Sequence, residues 1–300
     1  MSWKSLARIL TAALAAIVSG AMLLGSSAEE KRPESATIIS TDTDRDAALV
    51  AAVKDGDSEK VRALLAAYKR EGRRLPTHEY DGTLLHIAAS HGSQAVLLLL
   101  LDAGLSPHVA TSFGATPLHY AARSNQPRMV QLLLAAGADV NARTARGLTP
   151  LHLSNGTTQM LLDAGADPKA RDDKGQTAIF NAGPDVRALV KAGLDVNARN
   201  NDGWTPLHLA ALNAQMDHAK ALLDHGADIE AKTPAEYVIR SEESWGTETR
   251  SIPAGYTAID IASNEHDRVK WVTGRNRPMI DLLRARGTKR PALGIPFWRW

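Results

Sequence analysis

Histidine is the side chain best suited to proton or metal chemistry near neutral pH, and this 300-residue chain has ten of them. Four, His86, His119, His152 and His208, close a Thr-(Pro/Leu)-Leu-His tetrad. Converging imidazoles could hold a divalent ion or relay protons. Their spacing argues against both uses, because whole sequence units separate them and place them in different layers rather than around one ion. The acidic pairs Asp172-Asp173 and Glu242-Glu243 are adjacent in sequence on expected turns, so they read as solvated surface and not as acid–base partners. The chain has no cysteine, which excludes disulfides, thiolate nucleophiles and cysteine-held metals. It has no GxxxxGK[ST], HExxH or GxSxG sequence. Residues 234–254 and 264–278 together hold one histidine, His266, and no recognisable triad. Asn155-Gly156-Thr157 has the form of a glycosylation sequon and reads as a turn. The expectation is a protein with no catalytic residue, no metal ligand and no cofactor, and therefore not an enzyme.

The elements that carry these histidines recur. Thr111 to Arg143 is one 33-residue unit. In it Thr116 is placed to cap a helix and Pro117 to fill its first turn, where a missing N–H costs nothing. Met129 to Leu134 reads as a second helix, and Gly137 as the left-handed residue that ends it. Anchor threonines recur at Thr83, Thr116, Thr149, Thr177, Thr205 and Thr257, with two intervals of 33 residues, two of 28 and a last one of 52. One such helix pair cannot bury its apolar side alone, so neighbours must stack.

The unit resembles the ankyrin repeat. The residues that carry the resemblance are Gly114, Thr116-Pro117-Leu118-His119, Ala121-Ala122, Leu132-Leu133 and Gly137-Ala138-Asp139 with Asn141. It covers roughly residues 47–289. It implies an all-α fold, an ankyrin-repeat solenoid of stacked helix-turn-helix units joined by β-hairpin-like turns. It also implies that the tetrad histidines bond locally and tie neighbouring turns together, and that Phe180 and Asp260, which replace them in two units, weaken those turns. Finally it implies binding of another protein through turn tips and first helices. Carried onto this chain, the partner-binding candidates are Phe113, Arg123, Arg146, Asp173, Lys174, Asp202, Trp204 and Leu212. Phe113 and Trp204 lead, because aromatic side chains on turns are frequent binding hot spots.

Around this array the chain divides as follows. Residues 1–28 have a positive start at Lys4 and Arg8, an apolar run from Ile9 to Leu24, and small residues before Glu29, the pattern of a signal peptide, or of a signal anchor if uncleaved. Residues 29–46 are polar and read as a flexible linker. The repeat domain spans 47–289 and consists of a capping repeat, Ala47 to Lys54 and Ser58 to Leu65, plus about six repeats. The third and fourth are short by five residues each near Asn155-Gly156 and Gly183-Pro184, where a local notch is expected. An insertion at 234–254 has strand character at Tyr237 to Ile239 and Arg250 to Ile252, and it places Trp245 as a further binding candidate at its tip. The aromatic tail, 290–300, either caps the array or meets a membrane interface.

Charge bounds the partners. Removing Lys4 and Arg8 with the first segment leaves 33 basic residues against 33 acidic ones, so nothing favours nucleic acid. The reading is an exported, periplasmic or secreted monomer that binds another protein, a possible form being an inhibitor or immunity-like protein of an envelope partner. The alternative is a structural or scaffold protein held at the inner membrane by the N-terminal segment or the aromatic tail, with the repeats outside the cytoplasm.

Overall fold

The computed structural model describes residues 42–76, 83–234, 237–243, 246–263 and 277–287. The segment 1–28, most of the 29–46 linker, Trp245 and the aromatic tail lie outside the described residues.

Each unit begins where the tetrad requires it. Thr83, Thr116, Thr149 and Thr205 have extended backbone, each accepts a hydrogen bond from the amide three residues on, and the histidine at that third position accepts one from the threonine amide. This is a reciprocal capping box with imidazole in place of the usual carboxylate. Proline follows Thr116, Thr149 and Thr205 in the first turn, with its ring angle already helical. The helices α1 (Asp42–Asp55) and α2 (Ser58–Glu71) form the first pair, α3 (Leu84–His91) and α4 (Gln94–Asp102) the second, and α5 (Pro117–Arg123) and α6 (Pro127–Ala135) the third. Gly137 ends the third pair at φ +86°, with open space where a Cβ would stand, so its role is conformational.

The two short units differ visibly. Their first helices shrink to single 3₁₀ turns, Pro150–Leu153 and Ala178–Phe180, followed by α7 (Thr158–Asp163) and α8 (Val186–Lys191). A full unit follows, α9 (Pro206–Leu212) with α10 (Met216–Asp224), then the hairpin β1 (Tyr237–Glu243) and β2 (Gly246–Ile252), then α11 (Ala258–Ser263) and α12 (Arg277–Ala285).

Stacking is strictly sequential. The first helices or turns pack α3 on α5, α5 on Pro150–Leu153, that on Ala178–Phe180, that on α9, and α9 on α11. The second helices form a parallel row in the same order, α2 through α12. The result is an all-α solenoid, with one antiparallel hairpin as its insertion. Leu85, Leu118, Leu151, Ile179, Leu207 and Ile259 hold the same place in successive units and are all buried. Leu100, Leu133, Leu161, Leu189, Leu222 and Leu283 do the same in the second row, and each is fully buried. Fully burying such a side chain is worth about 1.5–3 kcal/mol, so the core is a stripe of small equal contributions and has no centre.

Two expectations need correction. The first helix begins at Asp42, so residues 42–46 are not linker. Their polar character misled, because their partners lie across the pair: Arg45 bridges Glu71 at 2.9 Å, Asp46 bridges Arg73 at 3.4 Å, and the Tyr68 hydroxyl donates to Asp46. The second helix also runs on to Glu71 and closes at Gly72, beyond the expected end at Leu65.

In the insertion Tyr237 pairs with Ile252 and Glu243 with Gly246. Its ends are pinned together, since the Thr233 amide donates to the Tyr256 carbonyl at 2.9 Å and the Gly255 amide to the Thr233 carbonyl at 2.7 Å.

Candidate functional site

The turn tips form one continuous edge. The Ala145 amide donates to the Phe113 carbonyl at 2.8 Å, the Asp173 amide to the Arg146 carbonyl at 3.0 Å, and the Asn201 amide to the Lys174 carbonyl at 2.9 Å. Each tip thus hangs on the previous one through backbone, which no side-chain substitution removes. Close approach is possible because glycine stands behind the tip: a Cβ on Gly114 would lie 3.1 Å from the Ala145 amide nitrogen and 3.2 Å from the Thr144 Cα.

Two side-chain ladders stiffen the same edge. Arg143 donates to the Arg171 carbonyl at 2.6 Å, Arg171 to the Arg199 carbonyl at 2.8 Å, and Arg199 to the Lys232 carbonyl at 3.2 Å. Asn141 bonds the Gly165 carbonyl and the Asp167 amide, and Asn197 bonds the Gly226 carbonyl and the Asp228 amide. Sequence reasoning missed the arginine ladder. Its signal was present in the recurring Ala-Arg of residues 142–143, 170–171 and 198–199, which is spaced at the short-repeat interval of 28.

On this edge Phe113 is the conspicuous apolar group, 71% exposed. Arg146, Asp173, Lys174 and Asp202 are exposed on successive tips, and Arg123 is exposed at the end of α5. Leu212 is half-buried and packs on the core. Trp204 is a correction. It is 1% exposed, with its ring 5.7 Å from that of His208, so it fills the core beneath its tip and offers no surface to a partner. The turn that carries it is closed by Asn200, whose side chain accepts from the Trp204 amide at 2.8 Å, and this folds the indole inward.

The tetrad histidines work between units. Nε2 of His86 donates to the Ala115 carbonyl at 3.0 Å, that of His119 to Leu148 at 3.1 Å, that of His152 to Gln176 at 3.0 Å, and that of His208 to Ala231 at 3.0 Å. Their Nδ1 atoms accept from the amides of Thr83, Thr116, Thr149 and Thr205 at 3.0–3.1 Å. A backbone amide only donates and a carbonyl only accepts, so both bonds fix the neutral Nε2–H tautomer. Burial lowers the pKa of all four below the ordinary 6.5, and the carbonyl bond opposes that shift only in part.

Where the ladder breaks, other groups respond. Phe180 supplies neither bond. There the Nε2 of His218, on α10, donates back to the Ile179 carbonyl at 2.9 Å. Asp260 keeps the local half of the cap, accepting from the Thr257 amide at 2.9 Å and hydroxyl at 2.8 Å, and a carboxylate has no N–H for the inter-unit half. The shortened junctions also lean on each other, as Asp185 accepts from the Gly156 amide and the Thr158 hydroxyl, both at 2.7 Å. Among the described residues no group of three or more His, Asp or Glu side chains is placed to hold a metal, and no helix is long and apolar enough to cross a membrane.

The family model described as ankyrin repeats (3 copies) matches residues 85–172 and 153–233, so this part of the chain consists of ankyrin repeats. Among solved structures, the ankyrin repeat domain of Bcl-3, described as a unique member of the IkappaB protein family, is similar at 28% identity and a TM-score of 0.49, over 79% of this chain and 97% of that one. A search of curated proteins finds no match. Ankyrin repeats indicate a protein–protein interaction module, and proteins built from them are generally binding modules without catalysis.

Proposed function

We propose that this chain is an exported monomer that holds one protein partner on its turn-tip edge, as an inhibitor or immunity-like binder of an envelope protein. The exposure of Phe113 is the observation that carries the reading. A phenyl ring 71% exposed on a tip that is fixed by backbone bonds is costly to leave wet, and it is already ordered for insertion into a partner's pocket. The neighbouring tips run from positive through mixed to negative along the edge, Arg146, then Asp173 with Lys174, then Asp202, and such a pattern selects a partner of complementary mixed charge. The signal-like segment 1–28 supports export, and cleavage before Glu29 would release the array.

The test is capture from the envelope fraction with the tagged full-length chain, together with the mass of the mature N-terminus. The expected result is a single stoichiometric protein that is lost with Phe113→Ala and retained with Trp204→Phe, on a chain that starts at Glu29. A partner retained by Phe113→Ala would sink the proposed edge. A chain that starts at Met1 in the membrane pellet would sink the export of a free array.

A further inference from the structure

Five buried imidazoles join six consecutive units, and they do so with two different proton geometries. At His86, His119, His152 and His208, Nε2–H donates to the next unit while Nδ1 accepts from the amide of the capping threonine. At His218, Nε2–H also donates to a carbonyl, but Nδ1 faces the side-chain oxygen of Gln215 at 3.3 Å. The first geometry has no room for a second proton. A proton on Nδ1 would point at a backbone N–H, which cannot turn around, and the threonine hydroxyl, which can, does not remove that clash. The ring must then leave its cap, and it takes its inter-unit bond with it. The His218 geometry presents acceptors to both nitrogens and survives protonation as drawn.

We propose that the tetrad histidines form an acid-operated latch, in which protonation of His86, His119, His152 and His208 breaks the bond each makes to the next unit while His218 keeps its hold.

The surroundings of each ring set how it responds. His86 meets the edge of the Tyr120 ring at 5.0 Å. His119 lies between His86 and His152, each of which opposes a charge on it. His152 faces Asp172, which favours the charge, and Arg143, which opposes it. His208 faces Asp228, which favours it, Arg199, which opposes it, and the Trp204 ring. Burial is the largest influence at all five, and it lowers the pKa of His218 as well. At that residue burial and bonding geometry disagree, and the geometry decides whether the joint opens or only titrates late. Because each folded pKa lies below 6.5, the latch contributes fully above that pH. The contribution is lost as pH falls below 6.5 through the folded values.

Urea unfolding of the full chain at pH 7.5, 6.5, 5.5 and 5.0 tests this, since that window lies above the ordinary carboxylate range of about 3.9–4.3. The wild-type midpoint should hold to pH 6.5 and then fall steadily. His119→Gln and His152→Gln should start lower at pH 7.5 and fall less on acidification, and His218→Gln should remove less of the acid sensitivity than either. Nitrogen-detected NMR of the wild type decides the matter even if a variant fails to fold. The four tetrad rings should keep Nε2–H signals until native dispersion itself is lost, whereas His218 titrates within the native spectrum. A wild-type midpoint flat from pH 7.5 to 5.0, or tetrad rings that titrate near 6.5 in an intact spectrum, would overturn the latch.

Discussion

Replacing Trp204 with alanine separates the core from the binding edge more sharply than any other single change. The indole is 1% exposed and is the largest of the fully buried side chains. The turn around it is held by backbone and Asn200 bonds, which the substitution leaves in place. What is lost is burial and packing, which for tryptophan to alanine in a core amounts to about 3–5 kcal/mol. For a chain of this size a kcal/mol moves the melting temperature by about 2–4 °C, so a fall of roughly 6–20 °C is expected. The assay is equilibrium urea unfolding followed by far-UV circular dichroism, with thermal melts alongside. Trp204→Phe should recover much of the loss, because an aromatic ring remains beside His208. A loss under about 1 kcal/mol, accompanied by lost partner capture, would refute the buried placement and return Trp204 to the surface.

Other changes probe other links. Leu133→Ala should cost about 2–5 kcal/mol in the same assay, because Leu133 is fully buried in the second row, and a cost near zero would mean that α6 is out of register. Asp185→Ala leaves the Gly156 amide and Thr158 hydroxyl without their acceptor and should cost about 1–3 kcal/mol, with Asp185→Asn closer to wild type; equal stability of all three would show that the shortened junctions do not need each other. Phe113→Ala should leave the melting temperature unchanged, since the ring makes no part of the core, and a drop comparable to that of Trp204→Ala would move it there.

The fold was legible because each unit states its own start and stop. Threonine caps, proline in first turns, glycine at φ near +86° and leucines at fixed places act locally, and a local rule is readable without coordinates. What escaped reading depends on distance. Asp42 to Asp46 looked like linker because Glu71, Tyr68 and Arg73, which order them, come 22–27 residues later. Trp204 and Phe113 sit on similar turns and looked alike, yet Trp204 stands one residue before its anchor threonine and folds inward, whereas Phe113 stands three before its own and is 71% exposed, a difference of register within the turn. His218 carries no motif at all. Its purpose is visible only because the first helix of the fourth unit stops as a 3₁₀ turn at Phe180, 38 positions earlier in the sequence, and leaves the Ile179 carbonyl to be answered. The strand character of Tyr237 to Ile239 was readable from composition, whereas the closure of its base between Thr233 and Tyr256 was not.

That closure has a consequence in chain entropy. A loop whose ends are already joined by two backbone hydrogen bonds adds only the slow logarithmic cost of its length, about 0.6 kcal/mol for each doubling, and transmits no strain to the units on either side. The hairpin is therefore a socket in the array. Its contents can lengthen, shorten or be exchanged for another segment while α9 and α11 keep the same stacking distance. Novelty in this protein can accumulate between Thr233 and Tyr256 without renegotiating the rest of the fold.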